Sequence, residues 1–339
     1  MQMGEPMKSS ILTIGDASED IFVEVKDAKI EKSHKFVSGK ALCFELGEKI
    51  PVKNVLYEIG GSACNTAVGF SRLGMTVNAM TALGYDSAAE KIIKRLEEES
   101  VKTKEIVFDD KINTHFSIIF NLGEERTILV YRCLEDYSIL IPKKSLSSKW
   151  IYLAPTGENS EKITERLVEL TAEKNTKIAW NPGSIQIDQG VHKYKNLLQN
   201  TSILLLNKEE GIKFTRLTVK SKTEDILRLL HSMGPKIVVI TEGKGGANAY
   251  DGRVFYNIEA LNKKRIDATG AGDSFAVGFV GKLMFENEFS KEQIIEALRW
   301  GIINSTSVVN RIGAQAGLLT KIQIEEELFK HPRLYVEIH

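Results

Sequence analysis

Three small residues followed by an acid form the segment of this sequence with the most chemistry. The stretch DATGAGDSFAVGF places Gly270, Ala271 and Gly272 directly before Asp273 and an apolar run that predicts a helix. Backbone N–H groups of such a loop can approach an anion at the helix N-terminus, where unpaired donors and the helix dipole favour negative charge. Asp273 would then lie beside a bound phosphate as a base for phosphoryl transfer to an alcohol. A helix cap is the structural alternative for Asp273.

This loop does not fit two other phosphate-binding motifs. GAGDSF lacks the third glycine of the dinucleotide fingerprint, which also usually follows an early strand, whereas this loop lies near the C-terminal end. Gly243 opens GKGG, which lacks both the Walker A glycine spacing and a following Ser or Thr. The sequence therefore argues against an oxidoreductase with a dinucleotide cofactor and against a P-loop enzyme.

A second glycine motif occurs about two hundred residues earlier. Gly60 and Gly61 open GGSACNTA and predict a turn into a helix through Phe70 and Leu73. Glycines let the backbone approach a ligand, and the amide of Asn65 can bind hydroxyl groups. As structure alone, the same residues are a glycine turn into a helix with one tolerated polar side chain.

Apolar runs that predict buried strands alternate with amphipathic helices along most of the chain. The first run spans 11–14 and ends at Gly15 and Asp16, so a strand end delivers a carboxylate to a loop. Helices are predicted over 86–99 and 161–173, and the later strand-like runs are MTVNAMTAL, KWIYLAP, KIAWNP, SILLLN and KIVVIT. The alternation predicts an α/β fold with a doubly wound, mainly parallel sheet. Ligands of such sheets bind beyond the carboxyl ends of the strands, where the polar motifs fall.

Two segments, 20–57 and 112–133, have a different pattern. They alternate apolar and polar residues between glycines, which predicts short antiparallel strands in one small sheet beside the main one. No linker rich in Pro, Gly or Ser divides the chain, so we expect residues 1–339 to form a single domain.

Composition excludes several classes of function. Lys plus Arg and Asp plus Glu number 45 each, so no net charge attracts nucleic acid or an anionic membrane. The three cysteines show no CxxC spacing and the six histidines no metal-binding spacing, which argues against a disulfide framework and a zinc site. The start of the chain lacks the apolar core of a signal peptide. We expect a cytoplasmic protein without nucleic-acid or membrane partners.

The two glycine motifs together resemble a known family. DATGAGDSF resembles the C-terminal signature of the ribokinase/PfkB family of carbohydrate kinases, and GGSACNTA followed by Leu73 and Gly74 resembles its N-terminal signature. The resemblance covers residues 11–318. It implies a ribokinase-like fold in which ATP and Mg²⁺ are used to phosphorylate a small sugar. Asp273 would be the general base and the 270–272 loop the anion hole, with Gly272 required for its small size and its backbone freedom.

The resemblance also implies residues for the substrate. The two strand-rich segments match the family's lid, which covers the sugar and excludes water. Arg126 of the lid would approach substrate or phosphate, and a solvated hairpin charge is the alternative. The implied substrate-binding residues are Asp16, Asp20, Gly60, Gly61, Asn65 and Arg126.

Further residues are implied for the metal and the nucleotide. In NKEE, Glu210 matches the family's glutamate that orients magnesium-bound water, and a helix cap formed by Asn207 is the alternative. Asp267 and Gly313 would flank a monovalent-cation loop that binds potassium. Asn304 would flank the adenine. The implied nucleotide-binding residues are Asn207, Thr241, Gly243, Gly246, Asn304 and Gly313.

These observations lead to one prediction with alternatives. We expect an ATP-dependent kinase of a small sugar that forms a homodimer through the lid. A nucleoside kinase of the same family is the alternative, because ribosyl hydroxyls would be bound similarly. A catalytically silent ligand-binding homologue is a further alternative, against which the intact Asp273 argues. A phosphorylated sugar is not expected, because no basic cluster surrounds the substrate motifs.

Overall fold

The structure is a computed structural model that describes residues 10–26, 29–34, 39–122, 125–132, 134, 136–143, 148–263, 265–286 and 289–339. The α-helices in these ranges are α1 (Ser62–Arg72), α2 (Ser87–Glu98), α3 (Glu161–Lys174), α4 (Ser184–Gln189), α5 (Lys195–Asn200), α6 (Lys208–Thr215), α7 (Thr223–Ser232), α8 (Ala271–Met284), α9 (Lys291–Val309) and α10 (Lys321–Lys330). The strands are β1 (Ser10–Ile14), β2 (Ser18–Val25), β3 (Lys29–Lys32), β4 (Lys40–Cys43), β5 (Val52–Gly60), β6 (Thr76–Met80), β7 (Ala82–Leu83), β8 (Val107–Phe108), β9 (His115–Leu122), β10 (Glu125–Tyr131), β11 (Trp150–Leu153), β12 (Lys177–Trp180), β13 (Thr201–Asn207), β14 (Ile237–Thr241), β15 (Ala247–Tyr250), β16 (Phe255–Ile258) and β17 (Val336–Ile338).

Nine strands of the described chain form the main sheet, in the order β17-β16-β15-β14-β13-β12-β11-β1-β6. Neighbours from β6 to β14 are parallel, and neighbours from β14 to β17 are antiparallel. The carboxyl ends of the parallel strands therefore lie along one edge of the sheet. The loops after β1, β11, β12 and β13 leave from that edge, where α/β proteins bind ligands.

Hydrophobic clusters cover both faces of the main sheet. Neighbouring residues of a strand point to opposite faces. Ile11 and Tyr152 accordingly pack in the cluster under α1, α8 and α9, whereas Leu12 and Leu153 pack in the cluster under α3 to α7. The predicted α/β fold with a doubly wound, mainly parallel sheet is confirmed.

Helix α8 is buried along most of its length because two helices pack closely against it. Gly69 of α1 faces Val277, and a Cβ built at Gly69 would lie 2.6 Å from a methyl carbon of that side chain. Gly278 faces α9, where a Cβ would lie 2.5 Å from the backbone oxygen of Trp300. These close approaches fix the position of α8, and with it Asp273 in its first turn.

A small sheet of four strands in the described residues has the order β10-β9-β2-β5. Both strand-rich segments contribute to it, as predicted. One detail of the prediction is wrong, since β2 and β9 are parallel, with Ser18 opposite His115. Both strands start near the end of β1 and run outward, while β5 returns and brings Gly60 opposite Ser18. Strands β3 and β4 pair separately as a hairpin. No helix of the described ranges has the length and apolar character needed to cross a bilayer.

Candidate active site

A cavity of about 380 Å³, here called the first cavity, lies where the small sheet meets the carboxyl ends of the main-sheet strands. Acidic and amide side chains line one part of its wall: Asp16, Asp20, Asn65, Glu210 and Asp273. Side chains of β9 and β10 line another part: Phe116, Ile119, Ile128, Val130 and Tyr131. Residues that are up to 257 positions apart in the sequence, from Asp16 to Asp273, thus meet around one space.

Asp273 is a buried carboxylate in the first turn of α8, 9% exposed. Its Oδ2 accepts a hydrogen bond from Asn65 Nδ2 at 2.9 Å, and the Ser62 hydroxyl also bonds to the carboxyl group. Burial raises the pKa of Asp273, the hydrogen bonds from Asn65 and Ser62 oppose this rise, and the negative charge of Asp20 adds to it. A raised pKa strengthens a carboxylate as a proton acceptor, which suits a general base.

The loop before α8 is held by Asp267. Its Oδ1 accepts hydrogen bonds from the backbone N and the hydroxyl of Thr269 at 2.9 and 2.7 Å, and its Oδ2 accepts one from the backbone N of Gly313 at 3.0 Å. Gly270 has φ +73°, and a Cβ there would lie 2.5 Å from the Cβ of Ala314. The loop therefore needs glycine at position 270 for both its conformation and its packing.

Gly272 differs from the expectation in one respect. It lies inside α8 without a positive φ, so the predicted backbone constraint at this residue is wrong and belongs to Gly270 instead. A Cβ at Gly272 would meet no protein atom within 4 Å. The space in front of this helix N-terminus is open, which leaves room for a ligand beside its backbone donors.

Gly60 and Gly61 allow the end of β5 to pass close to β2 and to the loop after β1. A Cβ at Gly60 would lie 2.0 Å from a carboxylate oxygen of Asp20. Gly61 has φ +85°, and a Cβ there would lie 2.4 Å from the backbone oxygen of Asp16. That oxygen accepts a hydrogen bond from the backbone N of Ala63 at 3.1 Å. The two glycines therefore bring the start of α1, with Asn65, to the same cavity as the two acids.

Asp16, in the loop after β1, and Asp20, in β2, have different surroundings. Asp20 is buried, and Ser18 Oγ donates to its Oδ1 at 3.0 Å. Burial raises the pKa of Asp20, and hydrogen bonds from Ser18 and Ser117 oppose this rise. Asp16 accepts a hydrogen bond from the hydroxyl of Tyr137, which lies in a 3₁₀ turn after the small sheet.

Basic groups near Asp16 were missed by the sequence analysis. Arg132 Nε lies 3.9 Å from Asp16 Oδ2, and His115 Nδ1 lies 3.7 Å from Asp16 Oδ1. Burial lowers the pKa of His115, which favours its neutral form, so Arg132 carries the positive charge of this group. Arg132 directly follows the predicted strand TILVY, so its sequence position was an available signal.

A second cavity borders the first turn of α8 on a different side. Thr241, Gly243 and Gly246 of the turn after β14 line it together with Ala271 and Gly272. Its other lining residues are Ala260, Leu261, Lys263, Arg265, Ala268, Phe275, Ile302, Ser305, Thr306 and Val309. Gly270 and Asp273 line the first cavity instead. The start of α8 therefore lies between two cavities.

Asn304 is not brought to this second cavity. It is fully buried in α9, where its Nδ2 donates to the backbone oxygen of Ser274 at 2.7 Å and its Oδ1 accepts from the backbone N of Leu319 at 3.0 Å. Both polar ends thus bind the protein itself, and the expected contact with an adenine does not fit this geometry. The following residues, Ser305 and Thr306, line the cavity instead.

Asn207 and Glu210 form a reciprocal cap at the start of α6. Asn207 Oδ1 accepts from the backbone N of Glu210 at 2.8 Å, and Glu210 Oε2 accepts from the backbone N of Asn207 at 2.8 Å. The helix cap that was the alternative for Asn207 is thus present. Glu210 nevertheless also lines the first cavity, and burial raises its pKa. No group of three or more metal-ligating side chains occurs in the described ranges. One carboxylate in a polar cavity fits Mg²⁺, which keeps several waters and is usually held by few protein ligands.

Arg126 was the expected contact from the lid. Its backbone lies in β10, opposite Asn121 of β9. Its side chain lies outside what the structure describes, so its predicted role stays a prediction.

The fold is of the ribokinase type, and comparisons with known proteins identify the family. Residues 33–324 match the pfkB family of carbohydrate kinases. The chain therefore belongs to the PfkB family of carbohydrate kinases and is a kinase.

Individual relatives are distant in sequence but match this chain over most of their length. The nucleoside kinase of Methanocaldococcus jannaschii is 25% identical over 304 residues, which cover 84% of this chain and 92% of the relative. The structure of Arabidopsis thaliana ribokinase complexed with ribose and ATP has a TM-score of 0.77 at 17% identity, and covers 95% of this chain and 99% of its own. A ribokinase-type protein of Escherichia coli in complex with ATP and Mg²⁺ has a TM-score of 0.75 at 16% identity, and covers 95% of this chain and 100% of its own.

Proposed function

We propose that this kinase transfers the γ-phosphate of ATP to a hydroxyl group of a small sugar bound in the first cavity. The observation that carries the proposal is the position of the first turn of α8 between two cavities. Asp273 and Gly270 line one cavity, and Ala271 and Gly272 line the other. A donor nucleotide in the second cavity and an acceptor in the first would meet at this helix N-terminus, where backbone donors favour a transferring phosphate.

Asp16 and Asp20, near the end of β1, would bind the acceptor. Asp16 and Asp20 both line the first cavity, and a carboxylate can accept hydrogen bonds from two neighbouring hydroxyl groups. The NH₂ group of Asn65 carries two hydrogens, one of which is directed at Asp273. The other can reach a ligand in the same cavity.

Asp273 would then take the proton of the acceptor hydroxyl. The hydroxyl oxygen forms a bond to the γ-phosphorus, the bond from that phosphorus to the bridging oxygen breaks, and ADP leaves with the electron pair. Backbone N–H groups of the 270–272 loop, of which that of Ala271 also donates to the backbone oxygen of Ala268 at 3.3 Å, would stabilise the charge on the transferring phosphoryl group. The small sheet would exclude water as a competing acceptor.

The metal and cation assignments are part of this proposal. Glu210 would hold Mg²⁺ through its water shell, and Asn207 would lie near the phosphates, whose charge the ion neutralises. Asp267, which ties the 267–269 turn to Gly313, would lie next to a site for potassium. Assays in matched potassium, sodium and choline chlorides test the potassium assignment, and equal rates in all three would exclude it.

A nucleoside is the second candidate acceptor. Phe116 and Tyr131 stack on one another, with 5.1 Å between ring centroids, and both line the first cavity beside the apolar Ile119 and Ile128. An apolar wall opposite carboxylates also suits a nucleoside, whose base is apolar on its faces and whose ribose carries the hydroxyls.

A homodimer formed through the small sheet is also proposed. Strands β5 and β10 are its outer strands and expose large apolar side chains, among them Tyr57, which is 58% exposed, and Leu129, which is 54% exposed. Exposed apolar strands at a sheet edge favour association. Light scattering on wild type and Leu129→Lys tests this, and a monomeric wild type would contradict it.

The acceptor is identified by a panel of pentoses, hexoses, their phosphates and nucleosides, assayed for ADP release. A sugar with the highest kcat/KM supports the first candidate, and a nucleoside the second. Thermal shifts with ATP and with each acceptor serve as a binding measurement. Ligands that stabilise the protein without any ADP release would contradict catalysis and support a silent binding protein.

Asp16→Ala is expected to weaken acceptor binding by about 1.5–3 kcal/mol, the range for hydrogen bonds to a charged group, while ATP affinity changes little. Calorimetry with the identified acceptor and with ATP measures both effects. Asp188→Ala is the control, because Asp188 is half exposed and forms an ion pair with Lys213. Loss of ATP binding with acceptor binding retained would place Asp16 at the other ligand.

A further inference from the structure

A buried line of hydrogen bonds leads from Asp273 to helix α2. Asn65 Nδ2 donates to Asp273 Oδ2 at 2.9 Å, and Gln315 Nε2 donates to Asn65 Oδ1 at 3.1 Å. Arg95 Nε of α2 donates to Gln315 Oε1 at 3.0 Å. Asn65 is 4% exposed and Gln315 is 2% exposed, so water does not compete freely for these bonds. The two amides thus connect the proposed base to a guanidinium group.

This line has only one consistent direction. An amide side chain has a donor end and an acceptor end, whereas a guanidinium group only donates. If Gln315 turned round, its NH₂ group would face the N–H of Arg95. If Asn65 turned round, its oxygen would face the carboxylate of Asp273. Arg95 therefore determines the orientation of Gln315, and Gln315 determines that of Asn65.

Arg95 and the loop that carries Gln315 are both anchored. Arg95 Nη2 lies 2.9 Å from Glu99 Oε1, which keeps the guanidinium group in place. Arg72 Nη1 donates to the backbone oxygens of Gln315 at 3.0 Å and Leu318 at 2.8 Å, which ties the loop that carries Gln315 to α1. The amide of Gln315 cannot relax far from Asn65 when its partners change.

We infer that Gln315 is a positioning residue for phosphoryl transfer: together with Arg95 it holds the Asn65 amide with its NH₂ group toward Asp273. The inference rests on the proposed role of Asp273 as the base. No motif of the sequence indicated Gln315, which lies 250 residues from Asn65.

The orientation of Asn65 matters because Asp273 has few other favourable partners. Ser62 of α1 also donates to it, whereas Asp20 of β2, Glu210 of α6 and Tyr152 of β11 face it with negative or uncharged groups. Burial and Asp20 both oppose ionisation of Asp273. Loss of the Asn65 donor would make the base harder to ionise, so the acidic limb of the kcat–pH profile would move to higher pH.

Gln315→Glu tests the inference with almost no change of shape. The carboxylate introduced at position 315 would compete with Asp273 for the single NH₂ group of Asn65, so both acids could be ionised only at higher pH. The acidic limb of kcat should move up by about one pH unit, which corresponds to an about tenfold lower kcat on the acidic side, and activity should recover at alkaline pH. A purely structural role of Gln315 would lower activity at all pH values without moving the limb.

The added negative charge needs its own control. Gln199→Glu makes the same change on the exposed surface of α5 and controls for net charge. Gln315→Glu could move the acidic limb in two ways: through the orientation of the Asn65 amide, or by direct repulsion between the new carboxylate and Asp273. A mutant cycle with Asn65→Ala separates them, because an effect that depends on the amide disappears when the amide is removed. If Gln315→Glu moves the limb as far in that background as in wild type, the effect is direct repulsion and the inference is wrong.

Arg95→Met covers the case in which Gln315→Glu does not fold, since the Arg95 side chain is 31% exposed and the change buries no charge. Gln315 could then turn round, and the limb should move in the same direction by a smaller amount. If the acidic limb of the kcat–pH profile stays in place in either folded variant, the inference is wrong.

Asp273→Asn distinguishes failure of the inference from failure of the proposed function. If Asp273→Asn is active, Asp273 is not the base. If Asp273→Asn is inactive and Gln315→Glu leaves the acidic limb in place, only the positioning role of Gln315 is contradicted.

Discussion

Asp273→Asn is expected to lower kcat by about 10²–10⁴-fold, the usual contribution of a positioned general base, with little change in ATP affinity. The amide is nearly isosteric with the carboxylate, and its oxygen can still accept the hydrogen bond from Asn65 that the structure places at 2.9 Å. Steady-state kinetics with the identified acceptor and calorimetry with ATP measure the two effects. A variant that keeps more than half of the wild-type kcat would refute the assignment.

Asp273→Asn is expected to stabilise the protein at neutral pH, although it lowers kcat. Burial raises the pKa of Asp273 in the folded protein above its value in the unfolded chain. Such a carboxyl group costs no folding free energy below its unfolded pKa and destabilises the protein as pH rises through its folded pKa. Asp273→Asn should therefore raise the Tm at pH 7, and the gain should shrink as the pH is lowered. A lower Tm at pH 7 would show that the carboxylate stabilises the fold.

Gly272→Val is expected to abolish turnover while the protein folds normally. The reason is the open space in front of this residue, since a Cβ there meets no protein atom within 4 Å and the backbone is helical. Valine would occupy the space that a phosphate needs beside the backbone donors. Kinetics together with circular dichroism and a thermal melt measure the result, and Ala271→Gly should be mild because it removes no donor. Normal turnover of Gly272→Val would exclude a phosphate from this loop.

Gly270→Val is the matched comparison two positions earlier. Its positive φ, and the distance of only 2.5 Å that would separate a Cβ at this position from Ala314, predict loss of stability as well as loss of activity. The two variants thus distinguish Gly270, which the fold requires, from Gly272, which leaves space for the ligand. Equal Tm losses in both would contradict this distinction.

Much of the fold could be predicted because it depends on local patterns. The apolar runs before Asp16 and Asn207 are strands whose carboxyl ends carry these side chains, and period-2 alternation found the small sheet. The parallel pairing of β2 and β9 could not be predicted, because alternation gives the exposed face of a strand but not the direction of its neighbour.

Residues of the candidate site could be predicted where they belong to a sequence motif, but not where they are isolated in the sequence. The two glycine motifs meet in space, as Asn65 and Asp273 show. Tyr137 and Gln315 form hydrogen bonds with Asp16 and Asn65 from segments without any motif, and only tertiary packing brings them there. Asn304 is the opposite case: it was expected to contact the adenine, but its side chain joins α8 to the loop before α10.

The strand order of the main sheet has a consequence for synthesis of the protein. After β1 and β6, the strands from β11 to β17 are added to one edge of the sheet in the order in which the ribosome delivers them. Each new strand therefore finds its neighbour already made, and the sheet can grow during translation. Helix α8 leaves the ribosome only after β16, so a nascent chain that stalls before residue 270 carries most of the sheet together with Asp16 and Asp20, yet lacks Asp273, the proposed base. Catalytic competence is acquired in the last fifth of translation.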